Sequence, residues 1–315
     1  MSKDNIKLKT YSRNRSRVIF YTLMMALPIA QMLIFYVIVN ANMFLMAFQK
    51  YEYSATSTGY NVSFVFLDNF RTAWVTFTNN FIMVKRSLIL FAANMFIGFP
   101  LALIFSFYIY KGFALSKFFK LVLFMPQVIS GLIFALLFKY LVNDVYVQVV
   151  SSITGAEIQY PLSAQSSSEL GVIIFYNVWV SFGVKILLFS GSMSGIDNSL
   201  VESAELDGVN LYQEFRYITF PLIYPTVVQF IVLGLVGIFT DGMHILALYG
   251  KKGERIASFG YYLFIQADKA DYVLEGSARH TYSDLSALGL LLTAMTLPVT
   301  VIVKKLCNKF GPSTD

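Results

Sequence analysis

Very few side chains in this chain could make or break a bond. It has two histidines, His244 and His280, and one cysteine, Cys307. The histidines lack the spacing of a metal site, and a single cysteine closes no internal disulfide and builds no cysteine cluster. No G-x-x-x-x-G-K-[ST], H-E-x-x-H or G-x-S-x-G run is present, so phosphate-loop, zinc-hydrolase and serine-hydrolase chemistry all lack their residues. The run Tyr249 to Arg255, "YGKKGER", resembles a phosphate loop only loosely and fails its spacing. What remains is the chemistry of recognition: amides, hydroxyls, aromatic faces and a few charges set inside apolar runs. Lys139, Lys185, Asp241 and His244 are those charges. Asp241 and His244 stand three apart, on one face of a helix. An ionisable residue at membrane depth is a functional candidate by default. Asp241 beside Gly242 could equally cap a break in the helix, and the two readings stand level. Lys139 and Lys185 lie within reach of helix ends and are read as snorkelling, with stems in the apolar layer and ammonium groups in water.

The elements that must hold these residues are membrane helices. Of the 315 residues 57% are hydrophobic and 13% charged, and the mean hydropathy is +0.62. Soluble domains carry about 25% charged residues. Apolar runs near 20 residues suit a bilayer core, and helices satisfy their backbone internally there. A β-barrel would alternate polar and apolar positions, and these runs do not. Six spans are expected, at about 18–39, 87–110, 121–142, 171–190, 222–248 and 285–303. They form a transmembrane domain over 18–306, between a basic segment 1–17 and a tail 307–315. The first run is too long for the apolar part of a cleaved signal.

Basic residues mark cytoplasmic flanks. Lys3, Lys7, Lys9, Arg13, Arg15 and Arg17 precede the first span, and Lys304, Lys305 and Lys309 follow the last. Both termini are therefore expected in the cytoplasm. Lys111, Lys117 and Lys120 put the connection after span two inside as well. The connection 143–169 has acids and no base, as an outer loop should. Lys85 and Arg86, at the outer end of span two, fit less well, as does the mixed-charge loop 249–284. The net charge of +6 is explained by these flanks and does not argue for nucleic acid.

By this count the connection between spans four and five faces the cytoplasm, yet it is acidic. Glu202, Glu205, Asp207 and Glu214 stand against Arg216. Asp197, Asn198 or Ser199 can cap a short helix here. Glu202 and Glu205 then fall in its early turns, where the helix dipole favours acids. Gly208 permits the left-handed residue that ends it. A second helix from Leu211 would carry Leu211, Phe215 and Ile218 on one face, and Pro221 would open the next span. The expected shape is a compact helix–turn–helix over 196–221.

This loop resembles the signature of permeases of the ATP-binding cassette importer class. That signature reads Glu-Ala-Ala, three residues, Gly, nine residues, Ile, one residue, Leu-Pro. Glu202, Ser203 and Ala204 stand at its first triplet, then Gly208, Ile218 and Phe220–Pro221. Ser203 and Phe220 depart from it mildly. Asp207–Gly208 with Phe215, Ile218 and Pro221 is similar to the carbohydrate-uptake branch. So are "FLDNFRTAW" at 66–74, "LFMPQVISGLIFALLF" at 123–138 and "FGYYLFIQA" at 259–267. The whole is similar to the maltose permease F-like and glycerol-3-phosphate permease-like subunits.

The resemblance implies an all-α membrane protein with six transmembrane helices, cytoplasmic N- and C-termini and a cytoplasmic helix–turn–helix coupling loop. It implies a multi-pass protein of the bacterial cytoplasmic membrane and a transport subunit rather than an enzyme. Its partners would be a homologous second permease subunit, two ATPase subunits and an extracellular or periplasmic solute-binding protein. The chain itself would hold no cofactor, since ATP and Mg would bind the partner ATPase. Glu202, Ser203, Ala204, Asp207, Gly208, Ile218 and Pro221 would couple to that ATPase. The solute would be a carbohydrate, in particular an oligosaccharide. Sugars present apolar ring faces and hydroxyl edges, which aromatic and polar groups recognise together. Asn177, Trp179, Asp241 and His244 are the substrate-pathway candidates, with lipid or interhelical packing an equal reading for Trp179. A self-sufficient secondary transporter or channel for a polar solute is the alternative. A membrane-embedded enzyme would need convergent carboxylates or histidines, and the sequence offers none.

Overall fold

The computed structural model describes residues 3–53, 60–163, 166–270 and 282–312. Helix dominates, and six helical stretches are long and apolar enough to cross a membrane: Arg17–Ala47, Phe81–Tyr110, Gly131–Thr154, Glu169–Ser194, Leu211–Gly237 and Tyr282–Phe310. Among the described residues the elements are α1 (Lys3–Gln31), α2 (Val39–Ala47), β1 (Gln49–Tyr53), β2 (Tyr60–Phe64), α3 (Asp68–Asn79), α4 (Phe81–Ala93), α5 (Phe99–Tyr110), α6 (Ser116–Val128), α7 (Gly131–Tyr140), α8 (Tyr146–Thr154) and α9 (Glu169–Ser194). They continue with α10 (Asn198–Leu206), α11 (Leu211–Glu214), α12 (Phe220–Gly237), α13 (Met243–Tyr249), α14 (Phe259–Ala270) and α15 (Tyr282–Phe310). Wider π-helical turns at Met32–Ile38, Asn94–Gly98, Leu141–Val145 and Phe215–Thr219 join consecutive α segments.

Contacts divide the chain into two units. The first comprises Met1–Trp74 and His280–Leu290. Within it β1 and β2 pair antiparallel, Gln49 opposite Phe64, an element the hydropathy pattern does not announce. Asn69, buried, donates to the carbonyls of Ala47 at 2.9 Å and Gln49 at 2.8 Å, which ties α3 to the end of the first span. Nearly every side chain from Val18 to Val39 is exposed, as expected of a helix whose neighbours are lipid.

The second unit comprises Val75–Arg279 and Leu291–Asp315. Two clusters of its core are described. Phe99, Leu103, Phe182, Ile186, Phe189 and Ile223 join α5, α9 and α12. Phe134, Phe138, Ile173, Tyr176, Ile245 and Ile265 join α7, α9, α13 and α14. Gly183 lets α9 lie directly on α6: a Cβ there would come within 2.8 Å of the Leu123 carbonyl oxygen. Small residues are how membrane helices approach this closely.

Two spans differ from the hydropathy expectation. The apolar run 121–142 is not one helix. α6 stops at Val128, Ile129 is extended, and α7 starts at Gly131. Pro126 lies in the last turn of α6, where its missing N–H and bulky ring weaken the helix it ends. The long helix is instead Gly131–Thr154. The expected span 222–248 is displaced the other way: the helix runs from Leu211 to Gly237, breaks over 238–242, and resumes as the short α13. The break follows from packing. A Cβ on Gly242 would meet the Tyr261 nitrogen at 2.1 Å, so the backbone here crosses another backbone. Pro221 stands in the first turn of α12, as expected, though the helical stretch already begins at Leu211. The π turn at Phe215–Thr219 immediately precedes it, and altered hydrogen bonding of this kind accommodates the missing donor. Of the loop 249–284, residues 271–281, which include His280, fall outside the described residues.

Candidate functional site

Spans Phe81–Tyr110, Glu169–Ser194 and Leu211–Gly237, with Ile238 and Asp241 just beyond the last, line a half-open cavity of about 240 Å³. Its apolar lining includes Phe91, Phe99 and Phe230; its polar lining is Ser87, Asn94, Asn177, Ser181, Lys185 and Asp241. Four of these polar groups bond to one another. Asn94 Nδ2 donates to Asn177 Oδ1 at 2.8 Å, and Ser181 Oγ donates to Asn94 Oδ1 at 3.0 Å. Lys185 Nζ donates to the same Asn94 oxygen and, at 3.3 Å, to Ser181 Oγ. Asn94 opens a π turn. Ser181 and Lys185 are four apart on α9, so they share a face.

Of the expected pathway residues, Asn177 and Asp241 line this cavity. His244 stands beside it, Nε2 4.0 Å from Asp241 Oδ1 and its ring edge-on to Tyr176 at 5.9 Å. The helix does break beside Asp241, but the residue flanking α13 is Gly242, with no side-chain cap. Trp179 is elsewhere. It packs among Phe134, Phe138 and Phe175 at centroid distances of 5.2, 6.1 and 5.8 Å. Lys185 was read as snorkelling, and the structure corrects this: its ammonium turns to Asn94 and Ser181 instead of a helix end. Asn94 and Lys185 were the residues the sequence pattern missed. The i,i+4 pair Ser181–Lys185 was the available signal; the rotation of α9 that aims it at Asn94 was not legible.

The second constellation is the loop after α9. Asp197 caps α10 by accepting from the Ser199 nitrogen at 3.0 Å, and that backbone N–H holds its carboxyl below the usual carboxylate range. Gly208 ends the turn with φ +78°, and the Val209 nitrogen donates back to the Ala204 carbonyl at 3.0 Å. Asn210 and Gln213 then form a reciprocal capping box at 2.9 and 3.0 Å, which starts α11. The helix–turn–helix reading of this sequence is therefore realised, with the second helix running on into the fifth span.

The two sides of α10 differ. Val201 and Ala204 are buried, whereas Glu202, Ser203 and Asp207 are exposed, and Leu206 is 90% exposed. Ala204 packs closely within its own chain. Ile218 and Pro221 are half-buried in the helix that follows. Lys111, just beyond α5, anchors the inner side of the loop: its Nζ lies 3.1 Å from Glu205 and 2.9 Å from Glu214. Glu214 is buried, and its other oxygen has no hydrogen-bond partner among the described residues. Burial would lower the Lys111 pKa, but hydrogen bonds to Glu214 and Glu205 outweigh it, and the net direction is upward.

"Probable ABC transporter permease protein YurN" of Bacillus subtilis is 27% identical over 267 residues, spanning 82% of this chain and 89% of that protein. "Multiple sugar-binding transport system permease protein MsmF" of Streptococcus mutans is 26% identical over 62% of this chain and 64% of its own. In fold, a chain from the crystal structure of a bacterial ABC transporter involved in the import of the acidic polysaccharide alginate superposes with a TM-score of 0.70. It is 21% identical and covers 96% of this chain and 99% of its own length. The family model described as "Binding-protein-dependent transport system inner membrane component" matches residues 94–313, well over half the chain; the loop 196–221 and the cavity-lining residues from Asn94 onward lie within that match. The chain is therefore a member of the binding-protein-dependent transport system inner membrane component family, a multi-pass transport permease and not an enzyme.

Proposed function

We infer that this chain forms half of the translocation pathway of an ATP-driven, binding-protein-dependent carbohydrate importer. A homologous permease would supply the other half, and the solute, delivered by a binding protein, would be an oligosaccharide. The relatives support the solute class: besides MsmF, they include the arabinooligosaccharides permease AraP of Bacillus subtilis, 24% identical over 61% of this chain. The cavity supports the half-site reading. At about 240 Å³ it lies below the roughly 300–1,000 Å³ of a complete small-molecule site. Asn177 and Asp241 offer hydroxyl partners there, with Phe91, Phe99 and Phe230 as apolar faces.

The observation that carries the coupling reading is the two-sided α10. With the termini in the cytoplasm, this helix faces the ATPases, which bind ATP and Mg. Glu202, Ser203 and Asp207 form its outward polar rim, and Leu206 is a fully presented apolar residue suited to a cleft. Charges such as Glu202 orient a docking surface more than they strengthen it. Gly208, Ile218 and Pro221 transmit the motion into the fifth span. The test is purification of the chain from its native operon. An ATPase and a second permease should accompany it, and isolation as an active homo-oligomer refutes the reading. Glu202→Ala combined with Gly208→Pro should abolish ATP-driven uptake while the chain remains inserted, and unchanged uptake removes the coupling role.

A further inference from the structure

Lys111 joins three elements through one ammonium group. It directly follows α5, at the end of the span Phe81–Tyr110. Its Nζ lies 3.1 Å from Glu205 on α10 and 2.9 Å from Glu214 on α11. The two pairs are unequal. The Glu214 side chain is 3% exposed, the Glu205 side chain 59%. A buried pair is costly to break, because the partner left behind is an uncompensated buried charge. An exposed pair is weak, because water and salt ions replace either partner at little cost. Any displacement of α10 therefore parts the Glu205 contact and leaves the Glu214 contact intact.

Both attachments lead to the cavity. The span that ends at Lys111 carries Phe91, Asn94 and Phe99 in the cavity wall, and α11 runs on into the span that carries Phe230 and Leu233 there. Lys111–Glu214 ties the loop ends of these two walls together. The chain connects α10 to its neighbours through short turns at 195–197 and 207–210. Among the described residues, Glu205–Lys111 is the one ion pair that joins α10 to the end of the span Phe81–Tyr110. Its weakness places the made and released states close in free energy, so a partner that binds one of them better can shift the balance.

We propose that the Glu205–Lys111 pair is a latch that sets the resting position of α10. When it is made, α10 is held against the span Phe81–Tyr110. When it is released, α10 is free to follow the ATPases. Lys111–Glu214 is the fixed pin beneath the latch in both states. Glu205 is thus a positioning residue, distinct from the outward Glu202, Ser203 and Asp207. The latch rests on the coupling reading given above and adds a resting state to it: with α10 held, ATP hydrolysis waits for the binding protein.

The experiment uses the whole complex in lipid nanodiscs, with its partner permease and ATPases. ATP hydrolysis is measured without and with the binding protein isolated from the same host, at about 0.05 M and about 0.5 M salt. Glu205→Gln should raise the rate without binding protein by up to about fivefold, the ceiling for one exposed pair. The stimulation by binding protein should fall in proportion. The thermal unfolding midpoint should stay at the wild-type value, because Lys111–Glu214 is untouched. High salt screens the exposed pair, so the wild type should approach the variant there. Lys111→Arg keeps both pairs and should behave as wild type. Wild-type rates in Glu205→Gln overturn the latch, as does a raised rate whose excess over wild type is the same at both salt concentrations. A lowered unfolding midpoint in Glu205→Gln makes Glu205 a structural residue and overturns it too. In each of these cases a wild-type complex stimulated by its binding protein leaves the coupling reading standing. A wild-type chain that associates with no ATPase refutes both.

Discussion

At the scale of residues, Lys111 illustrates how one cation can organise a loop of acids. Glu214 is buried, and among the described residues Lys111 is the cation paired with it. Removing one partner of a buried pair leaves the other uncompensated, which costs about 3–5 kcal/mol. Lys111→Ala should therefore destabilise the detergent-solubilised protein by about 3 kcal/mol, read as a lowered thermal unfolding midpoint, and Lys111→Arg should recover most of it. The pH dependence follows from the raised pKa. A group whose pKa rises on folding stabilises fully below its unfolded value, and that stability is lost as pH climbs through the folded one. The Lys111 contribution should thus be constant through the neutral range and disappear only in strong alkali. A stability difference between wild type and Lys111→Ala that already collapses near neutral pH would contradict the pairing. None of this was legible beforehand. Lys111 reads as an inside-marking charge and Glu214 as one of four loop acids, and nothing in their spacing, about a hundred positions apart, pairs them.

At the scale of elements, hydropathy located every span approximately and the breaks poorly. Span length follows from bilayer thickness, which composition reports directly. Breaks depend on which backbone comes close to which, as Gly242 does to Tyr261, and that is a tertiary fact. The loop 196–221 was legible because caps are local: Asp197, Gly208 and Asn210 act on residues two to five away. Gly183 is the opposite case. In sequence it is one more glycine in an apolar run, but its missing side chain sets the contact of α9 with α6. Gly183→Val should force these helices apart and cost about 1–3 kcal/mol, as overpacking does. Thermal unfolding of the purified complex measures this. The same substitution at Gly191, where an added Cβ meets nothing within 4 Å, should be close to neutral. Equal effects at both positions would argue against the close α6–α9 contact.

At the scale of the whole molecule, the six spans among the described residues agree with what composition implies, and the family agrees with the resemblance carried by the loop signature. Sidedness rests on the basic flanks and is open to direct test, because the chain has a single cysteine. In a Cys307→Ser background, Glu202→Cys should react with a membrane-impermeant maleimide only when the cytoplasmic face is accessible. Glu157→Cys should react only from the outside. The reverse pattern would invert the topology and remove α10 from reach of any ATPase. The cavity was half legible. Asn177 and Asp241 line it, whereas Trp179, two residues further along α9, packs among Phe134, Phe138 and Phe175, a matter of about 100° per residue around a helix.

The π turns at Asn94–Gly98 and Phe215–Thr219 carry a consequence for how this chain can vary in length. A π turn is an α turn that has absorbed one extra residue. Deleting a residue inside Phe215–Thr219 can be met by tightening that turn, leaving the faces of α12 where they were. Deleting one within α12 itself would swing everything beyond it by about 100°. Single-residue gaps among proteins of this family should therefore gather at such turns, and the widened turn that holds Asn94 would be a place where evolution can re-aim the cavity one residue at a time.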